Sequence, residues 1–177
     1  MNTYWILFIT ITVASWLVSA LMEQRFKKFS KVYLHLTGKE VAEKMLRDNG
    51  IYDVQVVSTT GHLTDHYDPR TKTVNLSESV YNSNSVAAAA VAAHECGHAI
   101  QHSKGYVPIK IRSAFVPIVQ IGSRIYIWVF LLGLLLNNYL LANIGIILFA
   151  FVVIFQLVTI PVEFNASSRA MKTLSSE

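Results

Sequence analysis

With 177 residues, 53% of them hydrophobic, and a formal net charge of +4, the chain is too apolar for an ordinary soluble domain, so membrane segments are expected. The positive balance does not indicate nucleic acid: the basic residues gather beside the ends of hydrophobic stretches, and there is neither an aromatic-basic strand-binding module nor a C-x-x-C pair. One cysteine, Cys96, excludes an intrachain disulfide and is compatible with a catalytic domain in a reducing cytoplasm.

The first apolar stretch runs from Tyr4 to Met22, long enough to cross hydrocarbon as a helix. Val18-Ser19-Ala20 resembles a signal cleavage site, but Met1-Asn2-Thr3 carries no basic side chain while Arg25, Lys27, Lys28 and Lys31 follow the stretch. Basic residues there oppose translocation of what comes next, so residues 1–22 read as an uncleaved anchor with its N-terminus outside, and 23–113 as a cytoplasmic domain. Within it, apolar positions 41, 42, 45 and 46 mark a helical stripe, with Thr37 as N-cap and Asn49-Gly50 as stop. Val54 to Ser58 and Lys72 to Ser77 read as strands.

The connection between those strands holds His62, Asp65, His66, Tyr67 and Asp68, and Asp68-Pro69 signals a turn. Its plain reading is a solvated hairpin tip. Its functional reading has His66 or Tyr67 donating a hydrogen bond to an oxyanion, and Asp65 or Asp68 orienting a zinc-bound histidine. Lys72 to Ser77 is a candidate edge strand, able to take an extended peptide by main-chain hydrogen bonding, or else a fully paired structural strand.

Next comes an Ala-rich run that Asn84 or Ser85 would cap, leading into His94-Glu95-Cys96-Gly97-His98. His94 and His98 lie one helical turn apart and share a face, so their imidazoles can converge on one Zn²⁺, with Glu95 placed to take a proton from the attacking water. The bland alternative is two histidines on the exposed face of an ordinary helix. Gly97 costs a helix about 1 kcal/mol relative to Ala, which implies a close approach at that point. Cys96 points away from the histidine face and reads as a small packing residue.

Two further apolar stretches, about Phe115 to Leu136 and Tyr139 to Ile160, form a transmembrane hairpin over 114–160, turning at Asn137-Asn138. Residues 161–177 read as a C-terminal helical segment in which Pro161 occupies a first turn or makes a kink. A catalytic zinc site needs a third protein ligand. His102 lies about 12 Å of helical rise from His94, too far for one continuous helix to bring all three imidazoles to one ion. Glu163 is the preferred candidate, with Ser167 one turn further on the same face, set against the plain reading of a solvated carboxylate at the membrane border.

Leu63-Thr64-Asp65-His66-Tyr67-Asp68-Pro69, Ala92-Ala93-His94-Glu95-Cys96-Gly97-His98-Ala99-Ile100-Gln101 and Pro161-Val162-Glu163-Phe164-Asn165-Ala166-Ser167 together resemble the YugP-like membrane zinc metallopeptidases. The resemblance implies a zinc-dependent endopeptidase with His94, His98 and Glu163 as ligands and Glu95 as base. More distantly the chain is similar to HtpX-type and CAAX-prenyl proteases, whose third-ligand helix has an Asp where Ser167 stands. The YugP-like pattern runs on past the position of Glu177 toward a further hydrophobic helix, so a short or truncated member is expected.

The expected fold is therefore α+β: a helix-rich, minigluzincin-like zinc protease domain with a small sheet, attached to three transmembrane helices. It would be a multi-pass cell-membrane protein with its active site on the cytoplasmic side, contacting membrane lipid and a polypeptide substrate and no nucleic acid. One rival keeps the fold without turnover, as a zinc-stabilised membrane adaptor or chaperone-like protein; an intact Glu95 argues against it, since a structural site needs no base. Another, a metal transporter or sensor built around Arg124, lacks a relay of intramembrane carboxylates.

Overall fold

The computed structural model describes residues 3–175; Met1 and Asn2, which open the expected anchor, and Ser176 and Glu177 lie outside the described residues. The chain forms α1 (Thr3–Phe29), α2 (Gly38–Asp48), β1 (Gln55–Thr59), β2 (His66–Asp68), β3 (Thr73–Ser77), α3 (Glu78–Tyr81), α4 (Val86–Ser103), α5 (Val107–Leu135) and α6 (Tyr139–Leu174). This is an α+β arrangement with three helices, α1, α5 and α6, long and apolar enough to cross a membrane.

The small domain is organised around α4. Thr37 starts α2 with a reciprocal capping box, its hydroxyl accepting from the Glu40 N–H while Glu40 accepts from the Thr37 N–H at 2.7 Å. The helix ends at Asn49, followed by Gly50 at φ +70°. Its stripe of Val41, Ala42, Met45 and Leu46 packs on Ala88, Ala89, Ala92, Ala93 and Cys96 of α4, whose short side chains let the two helices approach closely. Val74 and Leu76 of β3 enter the same core from the sheet, and both are fully buried.

Strand order decides between the two readings of Lys72 to Ser77. The sheet runs β1-β3-β2, with β1 parallel and β2 antiparallel to β3. The segment is not an edge but the fully paired central strand, bonded to β1 from Gln55↔Thr73 to Thr59↔Ser77 and to β2 from His66↔Asn75 to Asp68↔Thr73. The connection between the two strands read from the sequence supplies the third strand, β2, so it is not a plain hairpin tip, and the free edges belong to β1 and β2.

Helix ends also differ from the hydropathy limits. α1 continues through the basic cluster to Phe29, and α5 starts at Val107, with Pro108 in its first turn, well before the apolar stretch begins. α6 runs unbroken through Pro161 as one helix of 36 residues rather than restarting there. At 1.5 Å per residue it is about 54 Å long, more than the about 30 Å that hydrocarbon spans, and Glu163 lies in its second half.

Candidate metal centre

Three elements build the site. α4, capped by Ser85, whose hydroxyl accepts from the Ala88 N–H, presents His94, Glu95 and His98; α6 presents Glu163 and Ser167; the start of α5 presents Arg112. The α4–α6 crossing depends on Gly97. A methyl group there would sit 2.6 Å from the carbonyl oxygen of Ala166, an atom fixed in the α6 backbone. The close approach implied by a glycine between the histidines is the approach of the helix that carries Glu163.

Glu163 Oε2 lies 3.1 Å from His94 Nε2 and 3.5 Å from His98 Nε2. Among the described residues, His94, His98 and Glu163 form the one group of three or more His, Cys, Asp or Glu side chains whose donor atoms fall within 4.8 Å of one another. Four ligands about 2.0 Å from a tetrahedral zinc are about 3.3 Å apart, so the two separations bracket the edge such an ion requires. The two rings lie edge to face with centroids 4.9 Å apart.

The far side of each ring is held as well. His94 Nδ1 lies 3.1 Å from Ser167 Oγ and His98 Nδ1 lies 3.1 Å from Gln101 Oε1. With each Nδ1–H donating to its oxygen, both Nε2 lone pairs would be free to bind an ion held between the imidazoles and Glu163, the tautomer that suits imidazoles to a metal. Gln101 is fully buried and fixed from its other end, its amide donating to the Val162 carbonyl at 2.8 Å and to Asn165 Oδ1 at 3.0 Å. Arg112 Nη2 sits 3.3 Å from Glu163 Oε1, leaving Oε2 for the imidazoles. These residues could hold a divalent ion, and two imidazoles with one carboxylate are a donor set that zinc accepts.

Glu95 lies beside His94 on the wall of a cleft of about 340 Å³ that Leu63, Asp65, Ala90 and Val91 complete. Burial raises its carboxyl above the ordinary carboxylate range, opposed by the two neighbouring histidines. Cys96 is buried on the opposite side of α4, its thiol directed at the Ala42 carbonyl at 3.6 Å, and burial pushes its pKa up. It packs and takes no part in the cluster.

The structure places the remaining candidates elsewhere. His66 is exposed on β2, with Nδ1 2.7 Å from the Thr64 carbonyl. Tyr67 packs against the domain core with its ring 6.0 Å from that of His102. Neither lines the cleft. Asp65 does, and its carboxylate accepts from the Ser77 N–H at 2.7 Å and from the Ser77 hydroxyl, so it secures the cleft loop to β3 rather than touching either histidine. Arg112, Gln101 and Asn165 are the polar partners that the motif does not single out. Gln101 lies one turn beyond His98 on the buried side of α4, a recognisable signal, whereas nothing local marks Arg112.

A domain that clamps two histidines of one helix against a carboxylate of a second has the framework of the helical zinc hydrolases. Comparison with known proteins agrees: the model of a family described as "putative neutral zinc metallopeptidase" matches residues 4–177, and the chain belongs to that family. It is 45% identical over 177 residues to a protein of Bacillus subtilis (strain 168) described as "putative membrane protease YugP", covering 97% of this chain and 79% of that relative. No solved structure matches it.

Proposed function

We propose that this protein is a membrane-embedded zinc-dependent endopeptidase in which His94, His98 and Glu163 hold Zn²⁺ and Glu95 is the general base. The observation that carries the reading is the convergence of both Nε2 atoms on Glu163 Oε2, with each Nδ1 held from behind by Ser167 or Gln101. Zinc so held supplies Lewis acidity, polarising a peptide carbonyl and making water nucleophilic near neutral pH.

The chain's own groups supply the proton handling. Glu95 accepts the proton of the attacking water and returns it to the leaving amine. Its partly desolvated position, which raises its affinity for a proton, suits a group that must hold one between the two steps. Ser167 and Gln101 keep the imidazoles in register, and Arg112 holds Glu163. The substrates are polypeptides at or near the membrane, because α6 presents Glu163 just past the length that hydrocarbon can hold. The protein is multi-pass, with the site on the cytoplasmic side.

Glu95→Gln tests the reading against that of a silent, zinc-stabilised adaptor. The variant should retain the wild-type metal content by elemental analysis and lose at least about 10²-fold in hydrolysis of a casein-like substrate. His94→Ala should lose both. Undiminished hydrolysis by Glu95→Gln would end the mechanism.

A further inference from the structure

Leu63 is an exposed apolar side chain outside the membrane-spanning helices, as are Val32, Tyr33 and Tyr52, and of these it is the one that lines the cleft of His94 and Glu95. It is 74% exposed, lies outside every helix and strand, and stands at φ +58°, a left-handed backbone region that leucine rarely adopts and that would suit glycine or asparagine better. Its loop is built rather than slack. Thr64 Oγ1 donates to the Thr60 carbonyl at 3.2 Å, and Asp65 is pinned to Ser77 by bonds to both the backbone N–H and the hydroxyl. A strained conformation kept by fixed neighbours, and spent on exposing an apolar side chain, indicates a contact made with something else.

What it faces is the cleft of His94 and Glu95. Ala90 and Val91, which line the same cleft, stand one turn before those residues, so the apolar pair and the polar pair continue one another along α4. At about 340 Å³ the cleft has room for a large aliphatic or aromatic side chain.

We propose that Leu63, Ala90 and Val91 form a specificity pocket that takes an apolar side chain next to the scissile bond of an extended polypeptide, favouring segments that have just emerged from a membrane. This rests on the peptidase reading above. Continuity with Glu95 favours a substrate side chain over a lipid chain as the occupant, because one cleft holds both the apolar wall and the base.

The test uses the full chain in lipid nanodiscs, zinc-loaded, with a peptide library in which one residue at a time is varied around the cleaved bond. The wild type should cleave peptides carrying Leu or Phe at one flanking position at least about tenfold better in kcat/KM than those carrying Asp or Ser, the discrimination an apolar pocket can supply. Leu63→Ser should reduce that ratio several-fold by raising KM for the apolar peptides. A second readout does not need turnover: the Glu95→Gln protein should bind a fluorescent Leu peptide more tightly than its Asp counterpart, and the Leu63→Ser, Glu95→Gln double variant should bind the two alike.

Equal kcat/KM across the library overturns the pocket and leaves the peptidase standing. A wild type that cleaves no member overturns the peptidase reading and the pocket with it. A uniform loss in Leu63→Ser for every peptide, accompanied by weaker association of the soluble loop face with anionic vesicles, would make Leu63 a membrane contact and overturn the pocket.

Discussion

At the scale of single residues, Gly97 sets two opposing effects against each other. Replacing it with Ala favours the helix by about 1 kcal/mol. The added methyl, however, would meet the Ala166 carbonyl oxygen at 2.6 Å, and a backbone atom of a neighbouring helix cannot rotate aside as a side chain can. Overpacking of that kind costs about 1–3 kcal/mol and here acts by parting the helix of the histidines from the helix of Glu163. Gly97→Ala should therefore lower both the melting temperature and the zinc content, read by thermal unfolding in detergent with and without chelator. Ser167→Ala tests a gentler change: losing the partner of His94 Nδ1 should weaken zinc binding by about tenfold or more in a chelator competition, while Ser167→Asp, which restores an acceptor, should recover it.

How much of the site was legible follows from the same residues. The i, i+4 spacing of His94 and His98 and the glycine between them are local facts, and they led directly to a helix face and to a close approach. Glu163 stands 69 residues from His94 and was singled out by its position after the last apolar stretch and by resemblance, and the structure brings the three donor atoms together. Arg112 was invisible because nothing near it in the chain distinguishes it from any basic residue at a helix start. The oxyanion-donor reading of His66 or Tyr67 stands beside that of a plain hairpin tip; Tyr67 packs against the core, His66 is exposed, and neither lines the cleft.

At the scale of elements, the caps and stripes were legible and the order of strands was not. Thr37, Glu40 and Asn49-Gly50 define α2 by interactions within a few residues of each other, which sequence displays directly. Whether a strand is an edge depends on partners far along the chain. β3 alternates as an edge strand would, but it lies between β1 and β2, so every N–H of its interior has a neighbour on one side or the other. The consequence is specific. Neither Val74→Pro nor Asn75→Pro removes an outward-facing N–H; each deletes a ladder bond inside the sheet and should cost folding and zinc together, rather than selectively raising KM. Metal content alongside far-ultraviolet circular dichroism reads this. A Val74→Pro protein with native zinc and native spectrum would show that β3 is free on one side.

At the scale of the whole molecule, three helices and one site constrain each other. His94 and His98 belong to the segment between α1 and α5, and Glu163 follows α6, yet the three side chains meet. The segments before α5 and after α6 then lie on the same side of any membrane, and the multi-pass reading proposed above has α5 and α6 cross it as a pair. Their turn is compact, with Asn137 at φ +50° and the Asn138 side chain accepting from the Leu141 N–H; a methyl on Gly133 would lie 2.3 Å from the Ala142 nitrogen, so only glycine allows the helices to close there. The excess of Lys and Arg from Arg25 to Lys31 is the basis for the proposal that the domain faces the cytoplasm and the uncharged Asn137-Asn138 turn the outside. In a Cys96→Ala background, a cysteine introduced by Asn138→Cys should be labelled in intact cells by a reagent that does not cross membranes, whereas one introduced by Lys172→Cys should react only after the cells are opened. Loss of the Asn138 cap costs about 1 kcal/mol, too little to undo a hairpin of two long apolar helices. The reverse pattern would invert the orientation, and labelling of both positions from outside would mean that α5 and α6 do not cross as a pair, leaving Glu163 unable to share a membrane face with the histidines in the way the structure requires.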